Sequence, residues 1–320
     1  MKAKILITLL AIVALAGCTI PGIPGITQPT TVGGGGQGLE ITSFTAQPET
    51  VFSGSTVRII MEVENNGGTT VLSNKSIASL TGSNIEFGAG PFSSMVWHDS
   101  NTYQTLKEMK AEDVVRGLAA GTDRIMWTLT SPTLTAGQTR TDTFIGRLSC
   151  DYQTNAYGSV WVYPETDAEA ARTAGRTLEK SSFTYTKGPV GIEVSTQPDP
   201  VIIYGNDKTF SLYIKVTNLA TGTIYKADNI TYDTTSTNKR LVSDALNKVN
   251  ISITKTNDLA ITNSDQCQGE QELVAGRPTT IVCDFNITGS VDTFKSFPIN
   301  VEVKYGYFTE KTATVTVQGR

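Results

Sequence analysis

The chain has 320 residues and a net charge of -4, with 39% hydrophobic and 18% charged side chains, 29 Gly, 12 Pro, 4 Cys and a single His. An acidic balance excludes a basic nucleic-acid-binding face, and ordinary apolar content with few charges excludes a disordered chain. One His leaves little room for His-dependent catalysis or a multi-His metal centre, and the length suits about two domains at roughly 100–200 residues each.

The N-terminus reads as an address. Lys2 and Lys4 precede an apolar run from Ile5 to Ala16, the charged and hydrophobic regions of a secretory signal over 1–17, too short for a span of about 20 residues. The run ends Leu15-Ala16-Gly17-Cys18. This resembles the lipobox of bacterial and archaeal lipoproteins, in which small residues fit the peptidase and the cysteine thiol takes a lipid. The resemblance implies cleavage before Cys18 and lipidation of Cys18. A plain signal peptide containing a cysteine and a retained anchor helix are the alternatives. Cleavage would remove both lysines and take the charge from -4 to -6. Each buried lipid CH₂ contributes about 0.8 kcal/mol, so two or more chains hold a domain firmly on a membrane. The expected location is the outer face of the cell membrane, extracellular or periplasmic, where disulfides persist.

Residues 18–38 read as a tether. Pro21-Gly22, Pro24-Gly25 and Pro29 favour an extended first half, and Gly33-Gly34-Gly35-Gly36 a flexible second half. Such a segment reaches at most about 65 Å fully extended, and roughly 25 Å on average.

From Leu39 the pattern changes to short alternating strands separated by turn residues, and it occurs twice. Leu39–Glu49, Val51, Gly54 and Val57–Thr69 correspond to Val190–Asp199, Val201, Gly205 and Phe210–Asn218, with Gln47-Pro48 matching Gln197-Pro198. Period-two alternation puts Val57, Ile59, Met61 and Val63 on one face of a strand in the first half, and Phe210, Leu212, Ile214 and Val216 on one face of its counterpart in the second, each toward an opposing sheet. Asn65-Asn66-Gly67-Gly68 and Asn218 end these strands as turn formers. Later strands are expected near 124–130, 140–150, 157–163 and 181–187, and again near 248–255, 278–285, 297–305 and 310–317. Leu134–Gly137 leading to Cys150 is read as the counterpart of Leu273–Gly276 leading to Cys283. Many short strands with regular turn signals predict an all-β chain of two tandem Ig-like antiparallel β-sandwich domains, at 39–187 and 188–320.

Pro48, Ser53-Gly54 and Val63-Glu64-Asn65-Asn66-Gly67 resemble the first strand pair of Ig-like modules of the CARDB type, found in archaeal and bacterial surface proteins. The resemblance covers about the first third of each module and implies a non-enzymatic surface role.

Two segments are less regular. Pro164–Gly175 predicts a short helix, with acidic residues in its first turn, Arg172 near its end and Gly175 after it. The insertion 73–122 holds Pro91, Trp97, His98 and Tyr103, with a short helix expected at 103–110. It is either a binding insertion at one end of a sandwich or a long strand connection with its own small core.

Cys267 and Cys283 flank an expected hairpin and predict a disulfide; closing a loop of about 15 residues contributes about 3 kcal/mol. Cys150 is then a buried free thiol or a bond to another chain. Asn74, Asn229, Asn250 and Asn286 begin Asn-x-Ser/Thr sequons, no more than composition predicts, and are glycosylation sites or ordinary sheet residues. Asp199, Asp207, Asp228, Asp233, Asp258 and Asp265 lie in expected turns, and none sits in an Asp-x-Asp-x-Asp-Gly loop. No dinucleotide or phosphate-loop fingerprint is present, so neither metal nor cofactor is expected. Trp97, Trp161, Tyr204 and Tyr305 form either a sugar platform or core. The expected function is therefore a lipid-anchored, non-enzymatic surface protein whose modules bind a protein or envelope polymer. The alternative is a glycan- or small-ligand-binding module serving a transporter or secreted hydrolase.

Overall fold

The computed structural model describes residues 38–82, 85–87, 96–99, 103–113, 116–228, 245–274 and 277–320. The expected signal, Cys18, the tether to residue 37 and Asn229 lie outside the described residues. The strands in chain order are β1 (Leu39–Gln47), β2 (Thr50–Phe52), β3 (Thr56–Asn65), β4 (Ser76–Gly82), β5 (Ile85–Phe87), β6 (Trp97–Asp99), β7 (Tyr103–Thr105), β8 (Thr122–Thr130), β9 (Thr139–Pro164) and β10 (Ser182–Tyr185). They continue as β11 (Val190–Gln197), β12 (Val201–Ile203), β13 (Thr209–Asn218), β14 (Thr223–Tyr225), β15 (Lys248–Lys255), β16 (Leu259–Ile261), β17 (Gly269–Glu272), β18 (Thr279–Ile287) and β19 (Lys295–Gln318). Among the described residues the one helix longer than a single turn, α1 (Glu165–Thr173), follows β9.

The alternation seen in the sequence is the core. Val57, Ile59, Met61 and Val63 of β3 are buried, as are Phe210, Leu212, Ile214 and Val216 of β13. β3 lies between β1 and β8 in one sheet, ordered β1-β3-β8-β6-β5, and β13 lies between β11 and β18 in another, ordered β11-β13-β18-β16. Both face a third sheet, ordered β17-β15-β19-β9-β4-β7, with β2, β10, β12 and β14 paired at its sides. The fold is all-β, built of two Ig-like sandwiches.

The sandwiches share their largest sheet. β9 has 26 residues and β19 has 24. They pair antiparallel without a register break from Lys295↔Val162 to Gln318↔Thr139, a ladder of roughly 80 Å at about 3.3 Å per residue. The strands expected at 140–150 and 157–163 are therefore one, as are those at 297–305 and 310–317. The physical reason is visible at 151–156 and 306–309, where neither Pro nor an Asn-Gly or Asp-Gly pair interrupts the chain.

The continuation exchanges strands between the sandwiches. The first half of β9 pairs with β4, and Gly146 lies against Phe44 and Met61 of the first small sheet. The second half of β9 pairs with β10 and, in parallel, with β12. There Thr154 donates to the Val190 carbonyl at 2.9 Å, within the second sandwich. β19 does the converse. Its first half pairs with β15, and its last residues pair in parallel with β2, where Val315 and Val317 are fully buried. Each sandwich thus contains a strand encoded in the other repeat.

The small sheets correct one part of the repeat. β8 pairs with β3 as β18 pairs with β13, setting Trp127 opposite Ile59 and Cys283 opposite Leu212. Cys283 therefore corresponds to Trp127, while Cys150 lies on β9, in the shared sheet. Leu-x-Ala-Gly and Cys-Asp-aromatic recur because turns and strands reuse such residues, and the match does not follow the fold.

The helix expected at 164–175 is α1. It closes at Gly175, whose φ of 66° is the left-handed conformation glycine adopts at no steric cost. The helix expected at 103–110 is absent: Tyr103–Thr105 forms β7, an edge strand on Ile77–Ser79. Cys267 ends a single helical turn and is disulfide-bonded to Cys283 with Cα atoms 5.3 Å apart.

Two outcomes follow from this architecture. Phe297 is fully buried in the second sandwich, so Phe297→Ala should cost about 3–5 kcal/mol. In a Trp161→Phe background, where Trp97 and Trp127 of the first sandwich are the remaining tryptophans, the shared ladder makes denaturant unfolding followed by tryptophan emission shift with it; an unchanged midpoint would show independent sandwiches. Replacing Cys267 and Cys283 together by Ala should lower stability by about 3 kcal/mol, read from the denaturant midpoint.

Candidate functional site

Even-numbered residues of β9 point inward and odd-numbered ones outward, as period two requires. Near its C-terminal end the outward positions are Tyr157, Ser159, Trp161 and Tyr163. Phe294, immediately before β19, packs against two of them: its ring centroid is 6.1 Å from Trp161 and 5.9 Å from Tyr163, stacked at 23° on the latter. This cover leaves Tyr163 buried, and its hydroxyl accepts the Glu179 N–H at 2.9 Å. Phe294 is pinned from behind, because its backbone N–H donates to the Asp167 carboxylate of α1 at 2.9 Å. Phe294 itself remains 57% exposed, and Tyr157 48%. Tyr157 and Trp161 stand four residues apart on one face, roughly 13 Å, with Ser159 between them.

Polar groups surround these rings. Across the ladder from Tyr157 lies Asn300, and beyond it Thr254 of β15. Asn300 Oδ1 is buried and has no hydrogen-bond partner. Farther along the outward face of β19 the charges pair with each other, Lys304 Nζ lying 2.9 Å from Glu302 Oε1.

The aromatic residues singled out from the sequence divide. Trp97 is fully buried, edge-on to Phe144 at 5.1 Å, and its Nε1 donates to Asp142 Oδ2 at 2.8 Å, an oxygen that also accepts from Arg140 Nε. Tyr305 is fully buried at the waist between the sandwiches, where its hydroxyl is 2.8 Å from Thr154 Oγ1 and accepts the Val190 N–H. Both are core. Tyr204 is exposed in a tight turn closed by an Asp207 N–H bond to its carbonyl. Trp161 alone of the four joins an exposed cluster. Tyr157, Tyr163 and Phe294 were missed; outward parity on β9 would have found Tyr157, whereas Phe294 lies outside any strand pattern.

Cys150 and His98 are not brought together. Cys150 is buried six residues along β9 from Phe144, which packs on the Trp97 beside His98, so roughly 20 Å of strand intervenes. Among the described residues no group of three or more His, Cys, Asp or Glu is arranged to hold a metal ion. Asn74 and Asn250 are exposed, and Asn286 is half-buried on β18. Asp151, beside Cys150, is held above its usual carboxylate range by burial, opposed by the Asp228 backbone N–H and by Lys75. Glu270 lies at the other extreme, lowered to about 2 by hydrogen bonds from Lys226 and Lys248.

No protein-family model matches the chain, and none of the curated proteins matches it. Among solved structures it is similar to Escherichia coli alpha-2-macroglobulin activated by porcine elastase, at 11% identity and a TM-score of 0.22 over 88% of this chain and 22% of that one. It is also similar to the Yersinia pseudotuberculosis adhesin InvE, at 12% identity and 0.18 over 88% and 60%. A third is the Enterococcus faecalis MSCRAMM ACE, at 7% and 0.16 over 87% and 95%. The chain spans about a fifth of the length of the first. Likenesses at this level carry no functional correspondence to this chain.

Burial, followed by the neighbouring Asp151 carboxylate, pushes the Cys150 thiol up. Its proton is held more tightly folded than unfolded, so the associated stability is complete below the unfolded value of about 8.5 and is lost as pH rises through the folded one. The denaturant midpoint should stay level from about pH 7 to 8 and fall from about pH 9 upward. Cys150→Ala should remove the earliest part of that fall; superimposable curves would assign it to the buried tyrosines alone.

Proposed function

We propose that this chain is a lipid-anchored surface protein, non-enzymatic, whose Ig-like sandwiches bind a protein or envelope polymer outside the cell. The observation that carries this reading is the order of segments: an apolar leader ending Leu15-Ala16-Gly17-Cys18, a Pro/Gly-rich spacer, then an all-β body. Among the described residues no helix is long and apolar enough to cross a membrane, and a disulfide fits an oxidising compartment.

The entry of the chain into the body supports a presenting role. Gly38 lies at the waist, against Pro189 and Tyr152, and its carbonyl accepts the Asn66 N–H at 3.0 Å. Tyr152 is near the midpoint of β9, so a tether joined there leaves the far ends of both sandwiches free. A second reading, a glycan- or small-ligand-binding module accessory to a transporter or secreted hydrolase, is favoured by the exposed Tyr157 and Phe294 beside the half-buried Trp161.

Cys18→Ser separates the anchored reading from its rivals. Wild-type protein should enter the detergent phase on phase partitioning, and the variant should accumulate as uncleaved precursor or leave the membrane. A processed Cys18→Ser protein still in the detergent phase would defeat lipid anchoring at this cysteine. Crosslinking on intact cells, with identification of neighbours, then reports the bound partner.

A further inference from the structure

We propose that the outer face of the shared sheet around Tyr157, Trp161 and Phe294 binds a neutral glycan. A glycan-binding face presupposes the non-enzymatic binding role proposed above and gives it a ligand class.

Tyr157 and Phe294 are exposed and Trp161 is half-buried where strand chemistry would place small polar residues, and the neighbouring outward positions Ser159, Ser296 and Thr254 are of that kind. Exposure of Phe294 is not that of a loose loop tip. Tyr163 supports its ring from beneath and Asp167 holds its backbone, so the ring is ordered before any ligand arrives. Preorganised aromatic area costs little conformational entropy on binding.

Chemistry selects the occupant. A pyranose has an apolar C–H face and a rim of hydroxyls, matching a ring bordered by Ser, Thr and Asn side chains. Asn300, beside Tyr157, carries a carbonyl oxygen with no partner; turned toward the face, it would accept a sugar hydroxyl. The two ring positions, roughly 13 Å apart along β9, suit several sugar units rather than one. Charge argues for a neutral chain, because the charges farther along the outward face of β19, Glu302 and Lys304, are paired with each other at 2.9 Å and offer no free cationic clamp to an acidic polymer. Strand addition by a peptide is disfavoured, since residues 156–159 of β9 are paired with β10 on one side and β19 on the other.

Trp161 supplies the readout. Trp97 and Trp127 are 0% and 1% exposed, so a ligand on this face alters the emission of Trp161. The full chain in detergent would be titrated with cellohexaose, chitohexaose and mannohexaose, and with polygalacturonate as the acidic comparison, by fluorescence and calorimetry. The expected result is saturable binding of at least one neutral oligosaccharide, insensitive to salt. Tyr157→Ala, at an exposed position, should weaken it by about tenfold or more with unchanged melting, and Phe294→Ala, which also uncovers Tyr163, should weaken it as much while the far-ultraviolet circular dichroism stays that of the folded chain. Met126→Ala, exposed on the first small sheet, should leave it unaltered. Binding of none of the neutral sugars, binding of polygalacturonate alone, or affinity retained in the Tyr157→Ala, Phe294→Ala double variant would each overturn the glycan face. If crosslinking on cells captures a protein partner while no sugar binds, the glycan face falls and the binding role stands. If Cys18→Ser leaves anchoring intact while sugar binds, the anchor falls and the glycan face stands.

Discussion

The antiparallel ladder between β9 and β19 is the constraint on which the rest depends. Its 24 paired positions join the two repeats along their whole length, and a strand keeps its side-chain parity for as long as it stays paired. Even residues of β9 and most odd residues of β19 therefore face inward along both sandwiches. A one-residue slip anywhere would turn Phe144, Val160, Val301 and Val315 toward solvent together. Loops join many tandem modules and allow them to hinge; here two continuous strands cross the junction, and bending would break the ladder.

The waist shows how the junction is sealed. Tyr152 and Tyr305 are opposed in the ladder with ring centroids 6.1 Å apart, each fixing the start of a neighbouring segment through its hydroxyl. Tyr152 accepts the Thr69 N–H, and Tyr305 that of Val190. The fit is close enough to specify glycine at position 67, where a Cβ would lie 1.7 Å from the Tyr152 hydroxyl. The Asn65-Asn66-Gly67-Gly68 turn thus does more than reverse a strand, since it admits a tyrosine from the shared sheet. The same ladder leaves its outer face free of the two small sheets, and the exposed Tyr157 and half-buried Trp161 of β9 stand on that face.

Part of this was legible residue by residue. Alternation placed Val57 to Val63 and Phe210 to Val216 correctly, the acidic start and glycine stop located α1, and spacing paired Cys267 with Cys283. Other features were not. Tyr103–Thr105 has no decisive local signal and becomes a strand because the edge of β4 is available. Trp97 and Trp161 are chemically alike in sequence, yet one donates to a buried Asp142 and the other lies beside an exposed phenylalanine, a difference made by residues 45 and 133 positions away. The repeat was clear through β3 and β13 and misleading beyond, because Cys150 and Cys283 share a local motif while occupying strands with different partners.

The sequence by itself determined the all-β class, the twofold repeat, the inward faces of its strands and the cysteine pairing. These rest on period-two burial and short-range turn chemistry, which act within a few residues. Only the tertiary structure decided that β9 and β19 run on where turns were expected, that each repeat completes the other's sandwich, and that Tyr157, Trp161 and Phe294 share one face. Continuing a strand depends on finding a partner edge, and here that edge lies some 150 residues away along the chain.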